Sequence, residues 1–232
     1  MNKNDPKRSP GSDQWDTYWN AKSTGSHIYS GIASFYRRKI IKQSLERTLK
    51  AVFRPNSSLL HAGCGSGEVD MNLENFVSIT AIDFSMTALR EYQGFHPVNR
   101  KLLAADLFKL PFADGSFDGV FNLGVMEHFS ENEIVTALTE IRRVLAKDGK
   151  VVFYWPPVWG LSVIALLTAH KLLAIVGRKG VRLHPVEHSL IRSRRTCEEW
   201  FEAGGLQLES FRFGWSDFFT HQRIVGVIKQ ST

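Results

Sequence analysis

The feature that most constrains this chain is an apolar run that breaks into three glycines at alternate positions. The stretch reads Leu59-Leu60-His61-Ala62-Gly63-Cys64-Gly65-Ser66-Gly67. Glycine permits the sharp turn by which a chain leaves a buried strand, and it lets a ligand lie directly against the backbone. We therefore expect a ligand-binding loop at the carboxyl end of a strand.

Two acidic residues stand at the ends of the next two candidate strands. Asp83 closes the run 78–83, and Asp106 closes the run 102–106. Because the carboxyl ends of parallel strands meet along one edge of a sheet, we expect the glycine loop and both carboxylates to line one crevice. Taken singly, either aspartate is equally well explained as a turn or helix-cap residue.

A nicotinamide or flavin dinucleotide fold is the competing interpretation of the glycines. Its fingerprint is G-x-G-x-x-G with an acidic residue about 20 positions further on. Here the third glycine is Gly67, which gives G-x-G-x-G, and position 68 is glutamate. The pattern therefore disfavours a dinucleotide, although a lone glycine triplet is also compatible with an ordinary strand-to-helix turn.

Four further motifs follow the glycine loop in order. They are Ile82-Asp83-Phe84-Ser85, Leu110-Pro111-Phe112-Ala113-Asp114-Gly115-Ser116-Phe117-Asp118, Gly124-Val125-Met126-Glu127-His128 and Leu145-Ala146-Lys147-Asp148-Gly149-Lys150. With these motifs in register, residues 57–155 resemble the class I S-adenosylmethionine-dependent methyltransferases. The resemblance is closest to the small-molecule branch that includes the ubiquinone and menaquinone biosynthesis methyltransferases.

Strand and helix signals alternate along the chain, which predicts an α/β fold with a parallel sheet. The resemblance implies a Rossmann-like, seven-stranded, mostly parallel sheet with helices on both faces, closed by a hairpin with one antiparallel strand. We predict strands at 58–61, 77–82, 101–105, 117–123 and 150–154, helices at 31–53, 67–75, 85–93, 131–145 and 194–203, and the hairpin at 206–213 and 223–229.

Length and composition favour one domain, because 232 residues with 43% hydrophobic content can bury one substantial core. We expect a disordered tail at 1–14 and a single methyltransferase domain at 15–232. Its predicted parts are an N-terminal helical cap at 15–56, the cofactor-binding half at 57–155, an apolar helical insertion or lid at 156–193, and a C-terminal helix and hairpin at 194–232.

The cysteines and the N-terminus indicate the cellular setting. Cys64 and Cys197 are far apart in sequence, so they form neither a disulfide framework nor a metal-ligand cluster. The polar residues 1–13 lack the apolar core of a secretory signal. We therefore expect a cytoplasmic protein without a metal.

The resemblance implies S-adenosylmethionine as the cofactor and S-adenosylhomocysteine as the product. Asp83 stands where the family's carboxylate accepts hydrogen bonds from both ribose hydroxyls, and Asp106 matches the residue that contacts the adenine amino group. Phe84 and Leu107 would offer apolar surface to the adenine. The other predicted cofactor-binding residues are His61, Gly63, Cys64, Gly65, Gly67, Asn122, Leu123 and Gly124.

Two histidines stand at informative positions. Most family members carry Asp or Glu where this chain has His61, near the methionine ammonium of the cofactor. A neutral imidazole accepts one hydrogen bond but attracts a cation less, so weaker or pH-sensitive cofactor binding is expected. His128 is the predicted catalytic base if the acceptor is a hydroxyl. Its alternative role is to orient the following helix, and the lesser candidates for the base are His184, His188 and His221.

The motifs leave the methyl acceptor open. Enzymes that methylate exocyclic amino groups of DNA bases carry Asn/Asp-Pro-Pro-aromatic after the fourth strand, where this chain has Asn122-Leu123-Gly124-Val125. No cysteine for cytosine methylation stands there either, so nucleic acid is disfavoured. We expect a small-molecule acceptor, lipid-like or anionic. The alternatives are an RNA or protein methyltransferase and a non-catalytic binding module that keeps the cofactor fold.

Charge and hydropathy suggest a surface role for two further regions. The net charge of +6 is concentrated in residues 37–50 and 178–195, each with six basic residues and one acidic residue. These are either solvated faces or patches for an anionic partner such as an acidic membrane surface. The oligomeric state cannot be inferred from the sequence.

The segment 158–177 is apolar on several sides. It is interpreted as a helical lid over an apolar substrate, as a surface helix whose Arg178 and Lys179 meet acidic headgroups, or as a buried core or dimer helix. A membrane span is disfavoured by His170 and Lys171.

An aromatic cluster precedes the first long helix. Trp15 and Trp19 are four residues apart and would share a helical face with Tyr18 nearby. The cluster either folds over the cofactor as a gate or fastens the N-terminal extension to the core. We favour the second role because large aromatic side chains usually serve packing.

Overall fold

The computed structural model of the chain describes residues 15–20, 36–96, 100–175, 187–217 and 219–230. The predicted disordered tail at 1–14 lies outside these residues. The described strands are β1 (Ser58–Ala62), β2 (Ser78–Asp83), β3 (Lys101–Ala104), β4 (Phe117–Leu123), β5 (Leu145–Trp155), β6 (Leu206–Arg212) and β7 (Gln222–Ile228). The longer helices are α1 (Lys42–Val52), α2 (Met86–Phe95), α3 (Glu131–Val144), α4 (Leu161–Ile175) and α5 (Arg194–Ala203).

Shorter helical pieces flank these elements. Residues 15–20 form a short helix, which we call the aromatic helix because it carries Trp15, Tyr18 and Trp19. A π-helical turn at Arg37–Ile41 leads into α1, and 3-10 turns cover Met126–His128 and Trp215–Asp217. The predicted helix 31–53 is therefore present over 36–52, and its first residues lie outside the described part of the chain.

All seven strands form one sheet in the order β3-β2-β1-β4-β5-β7-β6. The pairings from β3 through β5 are parallel, and β7 is antiparallel to both of its neighbours. The predicted Rossmann-like sheet with one antiparallel strand in its last hairpin is confirmed. The order reverses direction between β1 and β4, and that switch point is where open α/β sheets form a ligand crevice.

Neighbouring side chains of the central strands enter two separate cores, one on each face of the sheet. Leu59 of β1 packs in the core that contains α1 and α2, whereas Leu60 packs in the core with α3 and α5. Phe121 and Val120 of β4 divide in the same way. Because strand side chains alternate between faces, these apolar runs require helical cover on both sides.

Serine caps fix where three helices begin. The Ser85 hydroxyl accepts the Ala88 N–H at 3.2 Å at the start of α2, and the Ser193 hydroxyl accepts the Thr196 N–H at 3.1 Å at the start of α5. At α3, Ser130 and Glu133 form a reciprocal capping box. Each cap satisfies N–H groups of the first turn that have no partner within the helix.

The helix predicted at 67–75 is wrong, because this segment forms a series of tight turns. Four N–H groups donate to the carbonyl three residues earlier. The pairs are Gly67 to Cys64, Asp70 to Gly67, Leu73 to Asp70 and Phe76 to Leu73. Asp70 is fully buried beneath these turns, where it meets side chains from β1 and α2. Its carboxylate requires those partners, and this outweighs the local helical signal.

The start of α4 is joined to the chain before β7. The Leu161 N–H donates to the Phe219 carbonyl at 2.9 Å, and the Ser162 hydroxyl donates to the Thr220 carbonyl at 3.3 Å. The Thr220 hydroxyl in turn shares a hydrogen bond with the phenol of Tyr36. Three distant segments therefore converge on one residue.

Among the described residues, no helix has the length and apolarity needed to cross a bilayer.

We expect two glycine-to-alanine changes to have opposite effects on stability. A Cβ at Gly119 in β4 would lie 2.2 Å from the Phe53 ring, so Gly119→Ala should lower the free energy of unfolding by about 1–3 kcal/mol through overpacking. A Cβ at Gly94 in α2 would meet nothing within 4 Å, so Gly94→Ala should raise it by about 0.5–1 kcal/mol. Urea unfolding monitored by circular dichroism measures both, and equal effects would contradict the packing described for β4.

Candidate cofactor and acceptor site

The glycine loop follows β1 and adopts a backbone that only glycine accepts easily. Gly63, Gly65 and Gly67 have φ angles of 70°, 53° and 71°. A Cβ at Gly63 would lie 2.6 Å from Val125, and one at Gly67 would lie 2.5 Å from the Tyr92 ring. Both the conformation and the space therefore exclude larger residues.

The Asp83 carboxylate at the end of β2 holds this loop. Its Oδ2 accepts the Gly65 N–H at 2.9 Å, and its Oδ1 accepts the Ser85 N–H at 2.9 Å. Burial raises the pKa of Asp83, and the backbone hydrogen bonds oppose that shift. A carboxylate has about four acceptor positions, so each oxygen keeps one for a hydroxyl donor such as those of a ribose.

One cavity of about 810 Å³ opens beside the loop. This volume lies in the upper part of the range of roughly 300–1,000 Å³ that is usual for ligand pockets. The predicted site residues that line it are His61, Gly63, Cys64, Gly65, Gly67, Asp83, Phe84, Asp106, Leu107, Leu123, Gly124 and His128. The structure thus brings these residues together, and their individual roles stay predictions.

Asn122 is the one predicted cofactor-binding residue that does not line the cavity. Its neighbour Leu123 does line it, and Phe121 stacks on His61 at 4.3 Å between ring centroids. Because side chains alternate along β4, Asn122 faces the opposite side of the sheet, where it is fully buried. The structure therefore does not bring the Asn122 side chain to the cavity with the other predicted residues.

The His61 imidazole lies against a buried carboxylate, that of Asp70. Its Nδ1 lies 3.0 Å from Oδ2 of Asp70, which also accepts the Tyr92 hydroxyl at 2.7 Å. Interactions with His61, His96 and Arg100 lower the pKa of Asp70 against the opposing effect of burial. An ionised carboxylate only accepts, so Nδ1 carries the proton in this contact. An imidazole with its single proton on Nδ1 has Nε2 as its acceptor, which is the atom that an ammonium donor would use.

The aromatic helix covers the glycine loop. Trp15, Tyr18 and Trp19 all line the cavity. The Trp19 ring lies about 3.1 Å from where a Gly65 Cβ would stand, and the Trp15 ring meets His128 edge-on at 4.8 Å between centroids. Asp16 accepts a hydrogen bond from the Ser85 hydroxyl, which fastens this helix to the start of α2. The two roles considered for the cluster, gate and fastening, are thus compatible.

A second group of side chains faces the cavity beyond Leu123. Glu127 is buried, and burial raises its pKa well above the ordinary value of 4.5. The pKa of Glu187 is also raised by burial. Burial lowers the pKa of His221 to about 4, so its imidazole is neutral at pH 7. His128 lies with its Nε2 4.0 Å from Oε1 of Glu127.

Sequence reasoning did not single out Asp70, Glu127 or Glu187 as functional residues. Glu127 lies inside the quoted motif 124–128, which gave a signal, whereas no local pattern marks Asp70 or Glu187. Along the described ranges, no group of three or more His, Cys, Asp or Glu side chains is arranged to hold a metal ion.

Comparison with known proteins supports the class that this geometry suggests. Residues 60–153 match a family described as Methyltransferase domain. The O-methyltransferase rstn1 of Aspergillus nomiae is 33% identical over 127 residues, which are 50% of this chain and 56% of that protein. Probable tRNA methyltransferase 9B of Mus musculus is 29% identical over 112 residues, 47% of this chain and 23% of that protein. The chain therefore spans less than two thirds of the length of these relatives.

A solved structure shows the same fold over nearly the whole chain. Magnesium protoporphyrin IX methyltransferase (ChlM) from Synechocystis PCC 6803, with bound S-adenosylhomocysteine, has a TM-score of 0.62 and 16% identity. The match covers 94% of this chain and 97% of that one. The chain shares the Rossmann-like fold of that protein. Residues 60–153 match a methyltransferase domain, which supports S-adenosylmethionine as the expected cofactor.

We expect His61 to act only on the amino-acid end of the cofactor, and Asp83 on the nucleoside. His61→Asn keeps a donor near the position of Nδ1 for the Asp70 carboxylate but removes the Nε2 acceptor, so it should weaken S-adenosylhomocysteine about 10-fold and 5′-methylthioadenosine, which lacks the amino-acid end, less than about 3-fold. Asp83→Asn should weaken both ligands by about 10-fold or more. Calorimetry measures these affinities, and an equal loss of both ligands in His61→Asn would contradict the assignment.

Glu127 should make stability depend on pH with a definite sign. Because its pKa is raised in the folded protein, the folded state holds a proton that the unfolded state releases, so stability falls as pH rises above 4.5. Glu127→Gln removes the cost of ionising this buried carboxyl. The difference in unfolding free energy between the variant and the parent protein should therefore increase in favour of the variant from pH 5 to pH 8. The exposed Glu199, paired with Arg195, supplies the control, and Glu199→Gln should show little trend. Urea midpoints across this pH range test the difference.

Proposed function

We propose that this protein transfers the methyl group of S-adenosylmethionine to a small amphipathic acceptor held under α4. The observation that carries the proposal is the continuity of the cavity, which runs from the glycine loop to the inner side of α4. Leu161, Ser162, Ala165 and Leu166 line its far end. The cofactor and a second molecule would therefore share one continuous cavity.

The lining of the acceptor end favours an apolar body with one polar group. Phe108, Phe129 and the residues of α4 supply apolar walls, whereas Glu127, Glu187 and His221 form a polar group of side chains. With raised pKa values, the two carboxyls offer a hydroxyl donor as well as acceptors. Such a lining suits a hydroxyl or amine head better than a phosphate or carboxylate, so of the two expected acceptor kinds the lipid-like one is favoured.

The sulfonium of the cofactor supplies a reactive methyl, so the chain's own task is mainly alignment and the exclusion of water. Leu123 and Gly124 border the cavity between the glycine loop and Glu127. The aromatic helix and α4 cover it from two sides, which removes water from the path of transfer. His128 lies beside Glu127 and under Trp15, where a neutral imidazole would take the proton that the acceptor releases.

Methylation of RNA or protein is the rival proposal. The match to a tRNA methyltransferase and the basic residues of 37–50 favour it. The two carboxyl side chains in the cavity count against it for RNA, since a phosphodiester near either would pay for desolvation without a cationic partner. A non-catalytic binding module would keep cofactor affinity and show no turnover.

The test is to follow a labelled methyl group. The protein is incubated with methyl-labelled S-adenosylmethionine and, in separate reactions, a total lipid extract, purified tRNA and an extract of soluble proteins. We expect label in the organic-solvent-extractable fraction. Label in RNA or protein alone would replace the proposal with its rival, and intact cofactor binding without any label would indicate the binding module.

The role of His128 can be tested in the same assay. Removing a general base typically costs on the order of 10²–10⁴-fold in rate, so His128→Gln should lower kcat by at least about 100-fold while leaving S-adenosylhomocysteine affinity unchanged. Asp118→Asn is the control, because Asp118 accepts the Ser58 N–H at the opposite edge of the sheet. A normal kcat in His128→Gln would show that His128 is not the base and has a structural role.

A further inference from the structure

Large apolar side chains are exposed on α4, just before it and in the turn before β7, and one of them, Leu161, also lines the cavity. Ile164 and Leu167 on α4 are 48% and 56% exposed, and Trp215 in the 3-10 turn before β7 is 79% exposed. Trp159 and Leu161, at the start of α4, are each more than 40% exposed. We call these five residues the apolar rim. Contiguous exposed apolar surface of this kind marks a binding face in soluble proteins.

The members of the apolar rim belong to one continuous surface. Trp159 meets the Phe213 ring at 6.3 Å between centroids, and Phe213 meets Phe219 at 5.6 Å. Trp215 meets Phe219 at 4.7 Å. The Leu161 N–H donates to the Phe219 carbonyl, so α4 and the segment before β7 are joined at this surface.

The sequence of the segments that form and flank the apolar rim contains few acidic residues. It has no Asp or Glu between Asp148 and Glu187, a stretch that contains all of α4 and five basic residues, of which Lys150 is paired with Glu209. It has none between Asp16 and Glu46 either, where five more basic residues occur. Asp217 is the one acidic residue in the sequence of the rim segments 156–175 and 213–221.

Some of these basic residues are placed beside the apolar rim. Lys171 is exposed on α4, and Arg38 and Lys39 are exposed on the π-helical turn that packs against the turn of Trp215. The Arg38 guanidinium lies 3.7 Å from a Glu68 carboxylate, and its side chain is still 47% exposed. The surface therefore combines tryptophan, branched aliphatic side chains and positive charge.

We propose that the apolar rim docks on an anionic lipid bilayer, so that the cavity opens toward the membrane. Tryptophan at a bilayer interface keeps its ring among the acyl chains and its N–H near the headgroups, and basic residues beside it attract acidic lipids. Over the described residues 161–175, α4 is shorter than the roughly 20 residues that a membrane span needs. It is apolar on several faces, so Leu166 can line the cavity while Ile164 and Leu167 face outward. An anionic bilayer is favoured over a protein partner because the basic residues beside the apolar rim complement its negative surface charge.

The inference bears on the proposed function, because a membrane-resident acceptor could enter the cavity under α4 without crossing water. Leu161 is exposed to solvent and also lines the cavity, so the apolar rim and the acceptor end meet at this residue. Docking itself needs no cofactor and no turnover. Its measurement therefore separates a failure of docking from a failure of the proposed reaction.

The test is sedimentation of the full chain with vesicles of phosphatidylcholine alone and of phosphatidylcholine with 30% phosphatidylglycerol, an anionic fraction of about one third chosen to engage basic residues. We expect the anionic vesicles to bind at least about 10-fold more strongly at low salt, and 0.5 M NaCl to remove most of this gain, since salt at roughly this strength screens charges beyond a few ångströms.

Matched variants locate the docking surface. The double change Ile164→Glu with Leu167→Glu adds two charges to the apolar rim without touching the cavity lining, and it should weaken vesicle binding about 10-fold or more. The control is Thr136→Glu with Thr139→Glu, which adds the same charge to the exposed face of α3 and should bind as the parent protein does. Unchanged affinity for S-adenosylhomocysteine shows that both variants are folded.

Three results would overturn the inference. Absence of binding to either vesicle would do so, as would equal binding by the rim variant and its control. A stable dimer of the parent protein that the rim variant converts to monomer would show that a second copy covers the apolar rim instead. Vesicle binding together with no methylation of lipid extract would leave docking intact and overturn only the proposed acceptor.

Discussion

The buried carboxylate of Asp70 is the interaction on which the cofactor end of this structure depends. It meets His61 from β1, Tyr92 and His96 from α2 and its end, and Arg100 before β3. An ionised group without water is costly unless hydrogen bonds and opposite charge surround it, and these partners supply both. The glycine loop runs above this cluster. Its position is therefore set by side chains that are distant from it in sequence.

Much of the fold could be predicted, because it is encoded in short-range patterns. The alternation of apolar strands with amphipathic helices predicted the order of elements, and the predicted starts of α2 and α5 coincide within a residue with the serines that cap these helices in the structure. The turns at 67–77 could not be predicted in this way. They follow from the needs of the Asp70 carboxylate, whose partners lie 9 to 30 residues away, and no local periodicity carries that information.

The site shows the same division between local and long-range information. Gly63, Gly65 and Asp83 were found because motif spacing and the edge of a parallel sheet bring them together. Asn122 does not line the cavity, because the alternation along β4 turns its side chain to the other face of the sheet, whereas its neighbours Leu123 and Gly124 do line it. Glu187 comes from a segment far along the chain, and its presence in the cavity depends on how that segment packs.

The two ends of the cavity are built from different parts of the chain. Apart from the aromatic helix, the predicted cofactor-binding residues all lie within residues 60–153, the region that matches the methyltransferase family. The acceptor end also draws on α4, on Glu187 and on the segment before β7, all outside that region. A shared cofactor therefore implies nothing about a shared acceptor, which agrees with relatives whose names refer to different chemistry.

The convergence of three segments on the chain before β7 fixes the first turn of α4. Tyr36, Leu161 and Ser162 reach the pair Phe219–Thr220 from the chain before α1 and from the first turn of α4. Because Leu161 and Ser162 also line the cavity, the position of that part of its wall is set by hydrogen bonds to residues far away in sequence.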